Sequence, residues 1–137
     1  MNSDLRTWQP GYNLGIEDID LQHHFFFNLI HRIAKELRSS EDRLYRNALI
    51  LELSAYARFH FLSEENMMHR SRFPGLEEHK LLHLELLDRL STKGNMFLVT
   101  NAAKDSEAIV HFLVDWFLHH TTSIDKTFAA WKQKNQA

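Results

Sequence analysis

Cysteine is absent from this chain of 137 residues, and glycine and proline occur only four times and twice. Without cysteine there is no disulfide framework, no thiolate metal site and no thiol nucleophile. The scarcity of glycine and proline favours long helices over a turn-rich β fold. No apolar run reaches the ~18 residues that cross a bilayer, and residues 1–15 do not have the pattern of a secretory signal. We therefore expect a cytoplasmic protein without a membrane span.

A strong charge imbalance is also lacking. The formal net charge is -2 at pH 7, so the chain has no basic field of the kind that attracts nucleic acid. Its length is that of one domain with a substantial core. We expect a single domain over residues 1–137 that is a monomer and has no nucleic-acid partner. The identity of any protein partner is left open.

What the chain has in abundance is histidine, with ten residues. Glu64 follows His60 by four residues, and His83 follows His79 by the same interval. On a helix this interval places two side chains on one face, roughly 5–6 Å apart at Cβ. Imidazole is the commonest metal ligand, and iron accepts imidazole and carboxylate together. The candidate ligands of a two-metal site are His23, His60, Glu64, His79, His83, His120 and Asp125.

Apolar residues recur with a helical period in four stretches. Polar residues 39–42 form the first break, the Pro74-Gly75 pair forms the second, and residues 93–95 are a stop signal for the third helix. Asp105 or Ser106 is a good N-cap for the last helix. The predicted elements are an N-terminal arm over 1–17 and helices over about 19–38, 43–70, 76–90 and 105–131.

Four helices joined by short loops predict an all-α fold, an up-down-up-down antiparallel four-helix bundle. In an antiparallel hairpin, two residues at the same height are equally far from the turn. Candidate ligands on neighbouring helices have midpoints at about residues 41, 71 and 101, each in or beside a predicted loop. The pairs are His23 with His60, Glu64 with His79, and His83 with His120. All four helices can therefore present ligands at one level of the bundle.

Asp125 has the least favourable spacing of the seven candidates. It follows His120 by five residues, which is about 140° around an ideal helix. Both side chains reach one cluster only if they flank it or if the helix is locally irregular.

The remaining histidines have plainer expectations. His24 and His119 each adjoin a candidate ligand and point about 100° away from it. We therefore expect them to contact solvent or to make polar contacts between helices. We expect a hydrogen-bonded structural role for His31 and surface positions for His69 and His111.

Sequence motifs accompany the candidate ligands along nearly the whole chain: Trp8, Gly15-Ile16, Ile19-Asp20-Leu21-Gln22-His23, His60-Phe61, Glu64-Glu65, Met68, Phe73-Pro74, His79 with His83, and Trp116 with His120 and Asp125. With this combination the chain resembles the hemerythrin family, in particular the stand-alone bacterial hemerythrins, from Trp8 to Lys126. Any single motif is weak evidence, whereas the combination is highly specific.

The resemblance implies a hemerythrin-like bundle with a non-haem di-iron site. It implies that His79, His83 and His120 bind one iron and that His23 and His60 bind the other. It further implies that Glu64 and Asp125 bridge the two ions, which alternate between Fe²⁺ and Fe³⁺, with an oxo or hydroxo group as the third bridge. The second iron then has a vacant position, where dioxygen binds.

The resemblance also implies an oxygen pocket enclosed by aromatic side chains. The expected pocket residues are Phe26, Phe27, Phe61, Trp116 and Phe117. In the family, leucine often follows the motif tryptophan and isoleucine often follows the last histidine. Here those positions hold Phe117 and Thr121. The pocket volume, and with it the oxygen affinity and oxidation rate, is therefore left open.

Reversible dioxygen binding is the leading functional hypothesis, in a carrier, a store or a local supplier. The first alternative is a sensor module, in which oxygen or redox state changes the contacts with a partner. The second is a di-iron enzyme such as a peroxidase or a nitric-oxide reductase. We do not expect an enzyme, because the sequence offers no evident acid or base beyond the ligands.

Overall fold

The computed structural model describes residues 8–135, in which every regular element is a helix. Within that range, no helix combines the length and the apolar character that a bilayer span requires. Residues 1–7 of the expected N-terminal arm lie outside the described range. The elements in chain order are a 3₁₀ turn Pro10–Tyr12, α1 Glu17–Ser39, α2 Arg43–Arg70, α3 Leu76–Thr100, α4 Ala103–His119, a π-helical turn His120–Ile124 and α5 Asp125–Asn135.

The long helices form an antiparallel bundle in which each packs against two neighbours. Helix α1 contacts α2 and α4, and α3 contacts the same two helices. The loops over 40–42, 71–75 and 101–102 are short enough to make consecutive helices antiparallel. Helix α4, the π-helical turn and α5 follow one another without a loop, so together they form the fourth arm of the bundle. The prediction of an all-α helical bundle is confirmed.

Local signals place the starts of the first two long helices. The first turn of α1 contains three acidic residues, which complement the positive end of the helix dipole. One of them, Asp20, accepts hydrogen bonds from the backbone N–H groups of Leu14 and Gly15 at 2.7 and 3.0 Å. Helix α2 is capped by Asp42, whose side chain accepts from two backbone N–H groups of its first turn. The arm before α1 is therefore held against the helix that carries His23.

Helix α3 is longer than the sequence predicts, and the expected end near residue 90 is wrong. The helix runs through Gly94 and ends at Thr100, and the C-cap residue Asn101 has a left-handed backbone with φ 48°. One glycine costs a helix interior only about 1 kcal/mol. The extension buries Phe97 completely, and burying a phenylalanine is worth more than that. Tertiary packing therefore overrides the local stop signal.

The start of α4 also differs from the prediction. The helix begins at Ala103, two residues before the expected N-cap Asp105. The cap position is Ala102, which has no side-chain cap of its own. The backbone N–H of Ala102 donates instead to Thr100 Oγ1 at 3.1 Å, and that hydroxyl donates to Asp105 Oδ2 at 2.5 Å. Asp105 thus holds the loop from inside the first turn rather than capping the helix.

A buried arginine closes the end of the bundle formed by the loops 40–42 and 101–102. Arg46 is 7% exposed, and its guanidinium donates to the carbonyl oxygens of Leu37 and Ser40. It also donates to Asn101 Oδ1 at 2.9 Å and lies 5.4 Å from the centre of the Phe97 ring. This arginine satisfies helix-end carbonyls that would otherwise be unpaired.

Candidate metal centre

The bundle brings the seven candidate ligands to one buried cluster. Helix α1 contributes one histidine, α2 a histidine and a glutamate, α3 two histidines, and the fourth arm a histidine and an aspartate. No member is more than 4% exposed. The members are His23, His60, Glu64, His79, His83, His120 and Asp125. A set of charged and polar side chains this deeply buried requires a partner of opposite charge or a ligand.

The π-helical turn solves the spacing problem of Asp125. The backbone N–H of Asp125 donates to the carbonyl of His120, five residues earlier, in place of the usual four. Side chains five residues apart then share a face, and Asp125 Oδ1 lies 2.9 Å from His120 Nε2. The fourth arm is therefore locally irregular where it supplies two members of the cluster, which is one of the two arrangements that the sequence allows.

Three imidazoles converge on one side of the cluster. His120 Nε2 lies 3.1 Å from His79 Nε2 and 3.3 Å from His83 Nε2. A carboxylate oxygen of Glu64 lies beside these imidazoles. This oxygen and one nitrogen from each of the three histidines all lie within 4.8 Å of one another. Two imidazole nitrogens at such a separation can share only one proton, so three of them cannot satisfy each other. We call this group the three-histidine half.

The other side of the cluster has two imidazoles. The rings of His23 and His60 meet edge to face with their centres 4.6 Å apart. Their ligand atoms and one from Glu64 also lie within 4.8 Å of one another. We call this group the two-histidine half. It has one imidazole fewer than the three-histidine half.

The two carboxylates each span both halves. Glu64 Oε1 lies 2.9 Å from His79 Nε2 and 3.2 Å from His83 Nε2. Glu64 Oε2 faces the other way, 3.5 Å from His23 Nε2 and 3.6 Å from His60 Nε2. Asp125 does the same, with Oδ1 at 3.1 Å from His79 Nε2 and Oδ2 at 3.2 Å from His23 Nε2. Each carboxylate therefore presents one oxygen to each half.

The unpaired atoms of the cluster test whether metal ions fit. Glu64 Oε2 and both carboxylate oxygens of Asp125 are buried and have no hydrogen-bond partner among the described residues. Histidine nitrogens lie 2.9–3.6 Å from these oxygens, yet without hydrogen-bond geometry. A buried carboxylate oxygen without a hydrogen bond costs about 1–3 kcal/mol unless a neighbouring positive charge compensates it. Cations between the nitrogens and oxygens would remove that cost, and this donor set suits iron.

Protons compete with metal for the same atoms. Burial lowers the pKa of His23, but the adjacent carboxylates of Asp125 and Glu64 outweigh it and raise the pKa to about 9. His79 shows the same balance, and its pKa is also raised to about 9. Burial prevails at His60 and lowers its pKa to about 4. Burial disfavours ionised Glu64, yet the surrounding histidines hold its pKa well below the usual range. A metal ion bound here would therefore displace protons from this cluster.

Two residues outside the seven lie within hydrogen-bond distance of imidazole Nδ1 atoms, on the side of the ring away from the cluster. Glu65 Oε2 lies 2.7 Å from His83 Nδ1, and Gln22 Oε1 lies 2.9 Å from His60 Nδ1. Such partners fix the ring orientation and the tautomer, leaving Nε2 free to bind metal. Both residues belong to the sequence motifs Ile19-Asp20-Leu21-Gln22-His23 and Glu64-Glu65, which predict no role for them. Each adjoins a candidate ligand in the chain and so points about 100° away from it, which is why the sequence gives no signal for these roles.

Aromatic rings cover the imidazoles. The Phe61 ring stacks on His83 with centres 4.1 Å apart, and Trp116 stacks on His120 at 4.3 Å. On the two-histidine half, the ring centres are 5.3 Å apart for Phe117 and His23 and 6.2 Å apart for Phe26 and His60. Phe27 lies one layer further out, against Phe117 and Trp8. Four of the five expected pocket residues thus contact the cluster directly, and the fifth supports one of them.

The other histidines lie outside the cluster. His24 is exposed and stacks on Trp8 with ring centres 4.8 Å apart, where the sequence predicts solvent or polar contacts. His31 Nδ1 lies 2.8 Å from the carbonyl oxygen of Phe27, in line with the predicted structural role. His69, His111 and His119 are exposed.

Comparisons with known proteins agree with this architecture. The sequence profile of the hemerythrin HHE cation binding domain matches residues 14–131. The chain belongs to the hemerythrin family.

Individual relatives are distant but match over most of their length. Bacteriohemerythrin of Clostridium acetobutylicum is 26% identical over 89% of this chain and 97% of its own. Myohemerythrin of Sipunculus nudus is 29% identical over 89% of each chain. A crystal structure of a hemerythrin variant superimposes with a TM-score of 0.79 at 21% identity, covering 94% of this chain and 98% of that one. The last comparison supports the fold alone.

Proposed function

We propose that this protein binds dioxygen reversibly at a non-haem di-iron centre, as an oxygen carrier, store or local supplier. The observation that carries the proposal is the placement of Glu64 and Asp125, each of which presents one oxygen to each half of the cluster. Carboxylates in this arrangement are built to bridge two cations. The names of the relatives, bacteriohemerythrin and myohemerythrin, support the same class of function.

In this proposal the three-histidine half holds one iron and the two-histidine half holds the other. Two iron ions held there would supply the electrons that dioxygen takes up on binding, and they would take these electrons back when dioxygen leaves. His79, His83 and His120 complete one coordination set, whereas His23 and His60 leave theirs with room for a further ligand. The five imidazoles are neutral donors, so they add no charge to a buried site.

The chain's own contribution is to keep water and other reactants away. Phe26, Phe61 and Phe117 are each no more than 2% exposed and contact imidazoles of both halves. An apolar wall of this kind excludes water and limits the leakage of reactive species. It supplies no proton donor, which favours reversible binding over turnover. A cytoplasmic location and a monomeric state remain predictions from the sequence.

Metal analysis combined with optical spectroscopy tests the proposal. We expect two irons per chain and a spectrum that changes when the anaerobically reduced protein meets oxygen and reverts when oxygen is removed. Continuous consumption of peroxide or nitric oxide would favour the enzyme. A spectrum that responds only together with a change in partner binding would favour the sensor. A chain that holds fewer than two irons would contradict the centre itself.

A pair of variants tests the assignment of ligands. His79→Ala removes a member of the cluster, so we expect it to lose most of the iron of the three-histidine half. His24→Ala removes an exposed ring one residue from a proposed ligand, and we expect it to retain both irons. Iron content per folded chain is the measurement, and equal content in the two variants would show that the assignment is wrong.

A further inference from the structure

The three-histidine half has a charged outer partner. The Nδ1 of His83 lies 2.7 Å from Oε2 of Glu65. Glu65 is the neighbour of Glu64 on α2, and 19% of its side chain is exposed, against 1% for His83. With Nε2 of His83 turned toward the cluster, Nδ1 carries the proton and donates it to the carboxylate. A carboxylate partner increases the electron donation of the imidazole at its other nitrogen.

The two-histidine half has a neutral outer partner. The Nδ1 of His60 lies 2.9 Å from Oε1 of Gln22, which belongs to α1. The amide of Gln22 is held in turn, because its Nε2 donates to Ser63 Oγ at 2.9 Å. Its backbone carbonyl accepts from the hydroxyl of Tyr56 at 3.0 Å. The amide oxygen is thereby fixed toward His60, but it cannot pull the Nδ1 proton as a carboxylate does.

Two other imidazoles of the cluster lack such a partner. His23 Nδ1 and His120 Nδ1 are buried and have no hydrogen-bond partner among the described residues. Glu65 in one half and Gln22 in the other therefore form a matched pair of acceptors. The two side chains have nearly the same shape but differ in charge.

We infer that Glu65 and Gln22 are positioning residues that increase the difference between the two irons, which the unequal number of imidazoles already creates. Glu65 strengthens His83 as a donor, so the three-histidine half holds its iron more tightly and favours the ferric state more strongly. Gln22 orients His60 without adding charge, so the two-histidine half holds its iron less tightly and keeps it easier to reduce. The inference rests on the proposed di-iron function and adds a division of roles between the two irons.

A chelator challenge of the iron-loaded protein measures the first consequence. In the parent protein we expect a ferrous chelator to remove the irons in two phases, the slow one from the three-histidine half. Glu65→Gln keeps the shape and the acceptor oxygen but removes the charge, and we expect the slow phase to accelerate about tenfold. Gln22→Glu adds a charge behind His60, and we expect the fast phase to slow by a similar factor. The two variants test the inference independently if one of them folds poorly.

Reduction potentials measure the second consequence, which a purely structural role would not produce. Glu65→Gln is expected to raise the potential of the more tightly held iron, and Gln22→Glu to lower that of the other. A tenfold change in the preference for the ferric state corresponds to about 59 mV for one electron. Mössbauer spectra of ⁵⁷Fe-loaded protein assign each potential to its iron.

Matched controls separate the hydrogen bond from simple charge. Glu78→Gln removes the same charge from an exposed position beside His79 in the chain. Asn28→Asp adds a charge at an exposed position of α1. Both controls are expected to match the parent in release rates and potentials. The inference would be overturned if Glu65→Gln and Glu78→Gln gave the same release rates and potentials. It would also be overturned if a parent protein that holds two irons released both in one phase. A parent that never holds two irons would instead contradict the proposed function.

Discussion

The two ends of the bundle bury polar side chains in opposite ways. At the end formed by the loops 40–42 and 101–102, buried Arg46 has its guanidinium paired with the carbonyls of Leu37 and Ser40 and with the side chain of Asn101. In the metal-centre cluster, the oxygens of Asp125 and Oε2 of Glu64 are equally buried and lack hydrogen-bond partners. One end is fully hydrogen-bonded within the chain, whereas the other leaves carboxylate oxygens that only imidazoles and a bound cation can pair with.

This difference shows how a structural polar group can be distinguished from a ligand-binding one. A polar group buried for stability comes with partners, because an unpaired one costs more than it contributes. A group buried for binding has to leave its lone pairs available. The distinction depends on pairing and not on residue type or depth, and it can be tested by perturbing each end separately.

Removal of iron should give the largest effect. Without metal, five imidazoles and two carboxylates remain crowded in the core, so we expect the free energy of unfolding to fall by several kcal/mol. Hydrogen exchange should accelerate first around the cluster and last around Arg46. Thermal unfolding before and after chelation measures the loss, and an unchanged melting temperature would contradict the coupling between metal and fold.

The pH dependence of the metal-free protein provides a second check. The pKa values of His23 and His79 are raised to about 9, above the ordinary 6.5. Their protonation therefore stabilises the folded metal-free chain fully below pH 6.5, and this contribution is lost as the pH rises through 9. We expect the melting temperature of the metal-free protein to fall between these pH values, and that of the iron-loaded protein to change much less. Parallel curves for the two forms would contradict this assignment.

Arg46→Ala should have the next largest effect, and it should be confined to stability. The change leaves the carbonyls of Leu37 and Ser40 without their donor, so we expect a loss of about 2–3 kcal/mol. Iron content should stay at the parent value because the guanidinium contacts no member of the cluster. Arg58→Ala removes an exposed arginine from the same helix and should change stability by no more than about 0.5 kcal/mol. Loss of iron from Arg46→Ala would mean that the two ends are not independent.

The sequence predicts the level of the site better than its details. Midpoints of ligand pairs, at about residues 41, 71 and 101, fall in or beside the loops 40–42, 71–75 and 101–102. Helical periodicity and the flanking breaks also predict α2 with its observed bounds, Arg43–Arg70. Periodicity does not reveal Gln22 and Glu65 as partners, because a hydrogen bond between side chains of two helices leaves no periodic trace. The five-residue spacing of His120 and Asp125 leaves two arrangements open, and the π-helical turn is one of them.

Phe117→Leu should have a smaller effect on stability and a specific effect on the site. The Phe117 ring contacts His23 and Phe26, and leucine would leave a small cavity that costs about 1 kcal/mol. Easier access should speed the binding of azide to the oxidised protein and shorten the life of the oxygen-loaded form. Phe97→Leu is the control, since Phe97 is equally buried but lies beside Arg46. If both variants change azide kinetics alike, the aromatic layer is not what limits access.

Gly94→Ala should have the smallest effect, and it should be stabilising. Gly94 lies inside α3, beyond the residue where the sequence predicts the helix to end, and it does not have a positive φ. A methyl group placed there would meet Ile50 Cγ2 at 3.7 Å, an ordinary contact distance. Alanine is favoured over glycine in a helix interior by about 0.5–1 kcal/mol. Thermal unfolding of the iron-loaded variant should show this gain without any change in iron content. A loss of stability would mean that α3 does not continue through Gly94 in solution, and that the stop signal in the sequence prevails after all.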